Sequence, residues 1–351
     1  MPLMVRADRW TKRCPRMAGR RLLACVAALS ACLASCQEFS RATNPATAVA
    51  ATPVRTENWA RNGGQGYKLI TDHYTVFTTL GPSPTRDGMN GFLEAARVNY
   101  VKLTGLKSGR PPATAASPDK RMIVYLFATR GEWAALTEQI TGGASETYLK
   151  VQRGGYCYAG KCVFWDIGPS TYSVAAHEGM HQFLYHTLKQ TLPVWAEEGL
   201  AVQCEGYQIR DGLVYFDSRE NGSRMMTLRQ TILQDRWRPA DRLIAMSATD
   251  NVQENALYGA DYYSQLWALL LLIRHDPTYS AGLTRMLNDA AAGRLGEALG
   301  IEPQAWARLQ HNPQAYTAVV GPRAFARYID SNLPAFEARY RAFCEELARL
   351  K

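Results

Sequence analysis

The chain has 351 residues, 47% of them hydrophobic and 20% charged, with a formal net charge of +9. It is long enough to bury a sizeable core as one large domain or two smaller ones, and its ordinary apolar content excludes an intrinsically disordered protein. The positive balance is concentrated at the start: residues 1 to 36 carry seven basic side chains, from Arg6 to Arg21, against Asp8 alone, and without them the net charge is +3. No later segment combines clustered Lys and Arg with stacking aromatics, so the sequence makes no case for nucleic-acid binding.

In chain order, the basic start runs into the apolar segment Leu22 to Leu33 and then small residues, the pattern of a secretory signal, with Met17 as an alternative start. The apolar segment is too short to span a membrane. Leu33-Ala34-Ser35-Cys36 resembles a bacterial lipobox, which implies cleavage before Cys36 and a lipid anchor on it. Leu29-Ser30-Ala31-Cys32 competes for that role, and simple release after cleavage is the other outcome. Gln37 after Cys36 resembles the outer-membrane sorting pattern. The expectation is a lipoprotein signal over 1–36, an Ala-, Thr- and Pro-rich tether over 37–55, and a protein of the bacterial envelope facing the periplasm from the outer membrane.

Alternation from Tyr67 to Thr79 around Asp72-His73 predicts two short strands or a hairpin, and helical spacing predicts a helix over Gly91 to Leu106. A loop over 109–118, a buried strand over Arg121 to Phe127 and a helix over Arg130 to Ile140 follow. Tyr156 to Val163 reads as two strands round an Ala159-Gly160 turn, which lets Cys157 and Cys162 face each other. Besides Cys36, the other cysteines of an exported chain would be Cys204 and Cys344, so disulfides Cys157–Cys162 and Cys204–Cys344 are expected.

The stretch with chemistry in it is Ala175-Ala176-His177-Glu178-Gly179-Met180-His181. Residues four apart share a helix face, so His177 and His181 can aim at one metal ion, with Glu178 beside it as a general base. A catalytic zinc usually takes three protein ligands and keeps one open position. If one helix ends near Leu188 and the next begins near Pro193, His181 and Glu198 lie about 10 Å and 8 Å from the turn and face each other. His177 and Glu205 lie about 16 Å and 18 Å from it, so Glu205 is placed to accept a hydrogen bond from the outer nitrogen of His177. Glu197, about 100° round the helix from Glu198, is the rival third ligand. After Glu205, Leu213 to Phe216 reads as a small strand, and Met225 to Gln234, Tyr258 to Arg274, Ala281 to Ala292 and Pro322 to Leu350 as helices. The run Leu266 to Ile273 is too short for a span and reads as a buried helix segment.

His177-Glu178-x-x-His181 with Glu198-Gly199-Leu200-Ala201 resembles the gluzincin branch of zinc metallopeptidases, in which two histidines and a glutamate hold zinc. With Gly154-Gly155-Tyr156, Pro193-x-Trp195 and Tyr263-x-x-x-Trp267, the pattern also resembles a bacterial envelope family known as domain of unknown function 1570. The resemblance implies an α+β, zincin-like fold with an N-terminal mixed sheet and metal helix over 56–208 and a helical subdomain over 209–351. It further implies Zn(2+) as cofactor, a polypeptide substrate, a cleft-side strand at Gly154 to Tyr158, and Tyr263 as oxyanion donor, with Tyr258 and Tyr262 as rivals. The His181-to-Glu198 gap is shorter than in aminopeptidases of that branch, and the chain has no Gly-x-Met-Glu-Asn motif, so exopeptidase activity is not implied. The competing expectation is an envelope lipoprotein that keeps the fold as a binding or scaffold module, and a third is hydrolysis of a non-peptide cell-wall amide. Oligomeric state has no signal in the sequence.

Overall fold

The computed structural model describes residues 54–61, 64–107, 121–151, 154–246 and 256–349, with the side chains of 256–258 excepted. The expected signal, Cys36, nearly all of the tether and the 109–118 loop lie outside the described residues. The fold is α+β: a mixed six-stranded sheet with helices against it, continuing into a mostly helical C-terminal half.

Strands β1 (Arg55–Arg61), β2 (Gly64–Ile70) and β3 (Tyr74–Thr78) form an antiparallel meander. β3 crosses through helix α1 (Pro84–Thr104) to the parallel strand β4 (Met122–Phe127). Helix α2 (Arg130–Thr141) and the short α3 (Ser145–Leu149) precede a hairpin of β5 (Gly155–Tyr158) and β6 (Lys161–Trp165). β6 pairs parallel with β4, which leaves β5 at the edge in the order β1-β2-β3-β4-β6-β5. The sequence predicts no strand ahead of Tyr67, whereas Arg55–Arg61 is one, beginning on the last residue of the expected tether. Its Arg-Thr-Glu-Asn-Trp-Ala-Arg sequence lacks apolar alternation because neither face is deeply buried, and Trp59 alone packs on Phe77, at 5.2 Å between rings.

Helix α4 (Ser170–Thr187) carries both motif histidines, and α5 (Val194–Gln203) returns alongside it. The buried Gln182 ties α4 to the sheet, donating to the carbonyls of Ile123 and Gly160 at 2.8 Å each. Tyr100 of α1 donates to the Ala176 carbonyl at 2.9 Å, an approach that Gly179 permits: a Cβ there would lie 2.3 Å from the tyrosine oxygen. A small ribbon, β7 (Tyr207–Arg210) and β8 (Leu213–Phe216), leads to α6 (Gly222–Leu233) and α7 (Ala240–Ala245).

Helix α8 (Ala256–His275) runs through the centre of the C-terminal half, with Leu266 to Ile273 buried, as the sequence predicts. It packs along α5 and α6, and one hydrophobic cluster continues from the sheet through α4 and α5 into α8, so the core has no break at residue 208. Helices α9 (Pro277–Ala292), α10 (Leu295–Ala298), α11 (Pro303–Gln310), α12 (Pro313–Tyr328) and α13 (Leu333–Arg349) complete the chain. The expected single helix from Pro322 is two helices, with Pro322 inside α12. The break falls at Asp330-Ser331-Asn332, where Asn332 Oδ1 accepts from the amide of Ala335 and so starts a new helix. No helix among the described residues is long and apolar enough to cross a membrane.

The expected disulfides are not formed: Cys157, Cys162, Cys204 and Cys344 are all free thiols. Cys157 and Cys162 do face each other across the hairpin. Cys204 donates to Leu200 O and meets Asn99, whereas Cys344 sits with Tyr340 and Glu337 in another part of the core. The even number of cysteines carries no information about which thiols become neighbours.

At Gly199, on the core side of α5, a Cβ would lie 2.2 Å from Leu270 Cδ2 of α8. Gly199→Ala is therefore expected to destabilise the protein by about 1–3 kcal/mol, read as a lower denaturation midpoint in urea.

Candidate metal centre

The helical pair brings together the residues its spacing predicts. His177 and His181 present their Nε2 atoms 3.3 Å apart on one face of α4, and Glu198 Oε2 of α5 lies 3.4 Å from the first and 3.6 Å from the second. Atoms about 2.0–2.2 Å from one tetrahedral zinc stand about 3.3–3.6 Å from each other, so the three form one face of such a site. Glu198 Oε2 is buried and makes no hydrogen bond of proper geometry. A buried carboxylate oxygen in that state, with two imidazole nitrogens in front of it, is chemically suited to a cation. Among the described residues, this trio is the group of His, Cys, Asp and Glu able to hold a metal ion.

The outer nitrogens are occupied too. His177 Nδ1 donates to Glu205 Oε1 at 2.9 Å, as the helical arithmetic predicts, and His181 Nδ1 donates to Glu197 Oε1 at 3.1 Å. The rivalry between the adjacent glutamates thus resolves in geometry: Glu198 faces the imidazole Nε2 atoms, and Glu197, one step round α5, supports His181 from behind. Such bonds fix the tautomer so that Nε2 carries the lone pair for a metal.

Sequence reasoning missed what holds Glu205. Arg224 of α6 makes a two-pronged contact with it, Nε to Oε2 and Nη2 to Oε1, both at 2.8 Å, and Asn221 Nδ2 adds a bond at 3.2 Å. Asn221 also caps α6 through its Oδ1, which explains why the helix starts there. Arg224 lies 19 residues beyond Glu205 across the β7–β8 ribbon, where no helical spacing connects them. An Asn followed three residues later by Arg just ahead of a helix was the available signal.

Tyr263 stands at the site with its ring 6.0 Å from that of His177, and the Arg224 guanidinium lies over the same ring, 5.2 Å from its centroid. Tyr262, its rival, is fully buried and stacks edge-on against Tyr263, and the side chain of Tyr258 is outside the described residues. Of the other histidines, His73 bonds Glu94 at 2.8 Å, and His275 and His311 are exposed.

The charges of the centre are strongly linked. Burial works against protonation of His177, but the carboxylates of Glu198 and Glu205 overcome it and carry its pKa up to about 9. Burial likewise opposes protonation of His181, which Glu198 and Glu197 drive well above the usual imidazole range. Burial raises Glu205, yet Arg224 and His177 bring it down to about 2, so it stays ionised. Glu178 moves up, because burial and the nearby Glu198 outweigh the two imidazoles and the backbone N–H of Cys157.

Compared with known proteins, the chain matches no family description, no curated protein and no solved structure. Its resemblance to gluzincins therefore rests on its motif residues.

Two outcomes follow. Zinc requires neutral imidazoles, so its uptake is expected to release protons, with apparent affinity rising as pH climbs from 6.5 towards the His177 value of about 9. Calorimetry in buffers of different ionisation enthalpy reads that release, and Glu198→Ala should lose the metal. Arg224→Ala, which frees Glu205 from its clamp, should weaken zinc binding about 10- to 100-fold in competition with a chelator.

Proposed function

We propose that this protein is a zinc-dependent peptidase of the zincin type, with His177, His181 and Glu198 as the metal ligands and Glu178 as general base. The observation that carries the reading is the three-sided group of Nε2, Nε2 and Oε2 atoms at 3.3, 3.4 and 3.6 Å with Glu178 next to it on the same helix. When bound there, zinc supplies Lewis acidity that lowers the pKa of a water to about 7 and polarises a carbonyl.

The remaining chemistry belongs to the chain. Glu178, made more basic than an ordinary glutamate chiefly by burial, takes the proton of the attacking water and passes it to the leaving amine nitrogen. Tyr263 keeps its proton, since burial and then Glu198 raise it well above the usual phenol range. Its hydroxyl is therefore a donor, and in this mechanism it bonds the developing oxyanion.

A polypeptide substrate is supported by the position of β5. In this hairpin Tyr158 and Lys161 close the turn as a hydrogen-bonded pair, so the amide groups of Cys157 and Gly155 point away from β6 to the free edge of the sheet. The Cys157 N–H meets the Glu178 carboxylate, which puts the general base at that edge. An extended peptide pairing with β5 would carry its backbone past Glu178. The basic and apolar start with Cys36 makes the peptidase an exported, lipid-anchored envelope protein on the same reading.

Glu178→Gln is expected to keep about one zinc per chain and to lose turnover of an unfolded polypeptide such as casein by at least about 10³-fold, whereas Tyr263→Phe should lower kcat about 10²-fold with zinc retained. Full activity in Glu178→Gln would sink the mechanism, and zinc binding without turnover on any polypeptide would favour a binding module.

A further inference from the structure

Glu178 is touched at both ends by one pair of cysteines. Its carboxylate receives the backbone N–H of Cys157, and its main-chain carbonyl receives the thiol of Cys162, with Sγ at 3.3 Å. The two cysteines are cross-strand partners next to the Ala159-Gly160 turn, whose residues both take positive φ, 47° and 70°. Their position is the one at which an antiparallel pair is not hydrogen bonded, where Cα atoms approach to about 4.5 Å. A disulfide requires Cα atoms about 4.4–6.8 Å apart and side chains on one face, and partners across a hairpin share a face by construction. The thiols already interact, and Cys157 is half-buried whereas Cys162 is sealed beneath it.

We propose that Cys157 and Cys162 are a redox pair that regulates this site, the dithiol state being the active one and the disulfide state holding Glu178 out of position. The proposal rests on the peptidase reading for its effect on turnover, though not for the bond itself. Oxidation needs a disulfide reagent such as oxidised glutathione or a thiol–disulfide oxidoreductase. The Cys157 thiolate attacks one sulfur of that disulfide, forming a mixed disulfide and expelling the first thiolate. Cys162 then gives up its proton and attacks the Cys157 sulfur, forming the Cys157–Cys162 bond and expelling the second thiolate. Two cysteine thiols are oxidised, the reagent disulfide is reduced to two thiols, and the two cysteine protons go to them.

The consequence for the base is mechanical. Once Cys162 has no S–H, the Glu178 carbonyl loses that donor, and the new bond fixes the β5–β6 hairpin at the residue whose amide holds the Glu178 carboxylate. The metal ligands lie on other residues of α4 and on α5, so zinc should stay bound in both states.

The test uses the full zinc-loaded chain equilibrated across glutathione buffers from fully reduced to fully oxidised. Trypsin cuts after Lys161, between the two cysteines, so after alkylation of free thiols the bond appears as two joined peptides that reduction separates. The expected result is that this species accumulates with oxidation while casein turnover falls about tenfold or more at constant zinc, and that reduction restores it. Cys157→Ser should show one level of turnover across the whole buffer series. Absence of the joined peptides in the most oxidising buffer, or their presence with turnover changed less than about twofold or increased, would overturn the proposal. If the chain turns over no polypeptide in either state, hydrogen exchange of residues 155–158 and 178–182 decides instead. A difference between dithiol and disulfide forms supports coupling to Glu178, and identical exchange overturns it. Failure of the peptidase reading is seen separately, as full turnover in Glu178→Gln.

Discussion

Four carboxylates, those of Glu178, Glu197, Glu198 and Glu205, converge on two imidazoles in a largely buried centre, and among the described residues Arg224 is the one guanidinium bonded to any of them. Such a gathering of negative charge is unfavourable unless cations enter it. In the metal-free protein, protons on the imidazoles are the available cations, which is why the carboxylates raise both histidines against the effect of burial. A divalent ion would replace those protons and meet the Glu198 oxygen that has no hydrogen bond. The same excess of charge thus accounts for the protonation behaviour of the centre and for its suitability for a metal.

Holding those groups in place is the work of the surrounding core. The two helices that carry them make close approaches on the side away from the centre, each at the glycine that follows a site glutamate: Gly179 against Tyr100 and Gly199 against Leu270. Trp195 donates to the Gly321 carbonyl of α12, and Gln203 to that of Trp267 in α8, so α5 is fixed to the C-terminal helices along its length. Gln182 does the same for α4 against the sheet. The C-terminal half is therefore part of the site's support, and through Tyr263 part of its lining.

The edge strand connects the sheet to the chemistry. Because β5 is outermost and β6 inner, the amide of Cys157 turns outward to Glu178 while the thiol of Cys162 turns inward to the same residue's carbonyl. One hairpin therefore borders the proposed peptide groove, contacts Glu178, the proposed base, and places two thiols in register. The proposed substrate pairing and the proposed thiol chemistry would both act on this single short segment.

Local periodicity was enough for much of this. The spacing of four in His177-Glu178-x-x-His181, the Pro193 restart and the lengths of the two helices determined that His177 and His181 face the Glu197-Glu198 pair and Glu205, because helix geometry is regular and the connection is short. The choice of Glu198 over Glu197 at the imidazole Nε2 atoms was decided by the tertiary structure. The Ala159-Gly160 turn likewise determined that Cys157 and Cys162 face each other. Interactions between distant segments were decided only by the tertiary structure. The polar strand β1 belongs to the sheet because β2 pairs with it, the break between α12 and α13 depends on a cap at Asn332, and the Arg224 clamp on Glu205 crosses a ribbon that has no helical register. Cys204 and Cys344 remain apart for the same reason: chain spacing sets which residues share a face over a few turns, whereas which faces meet is set by how the whole core packs.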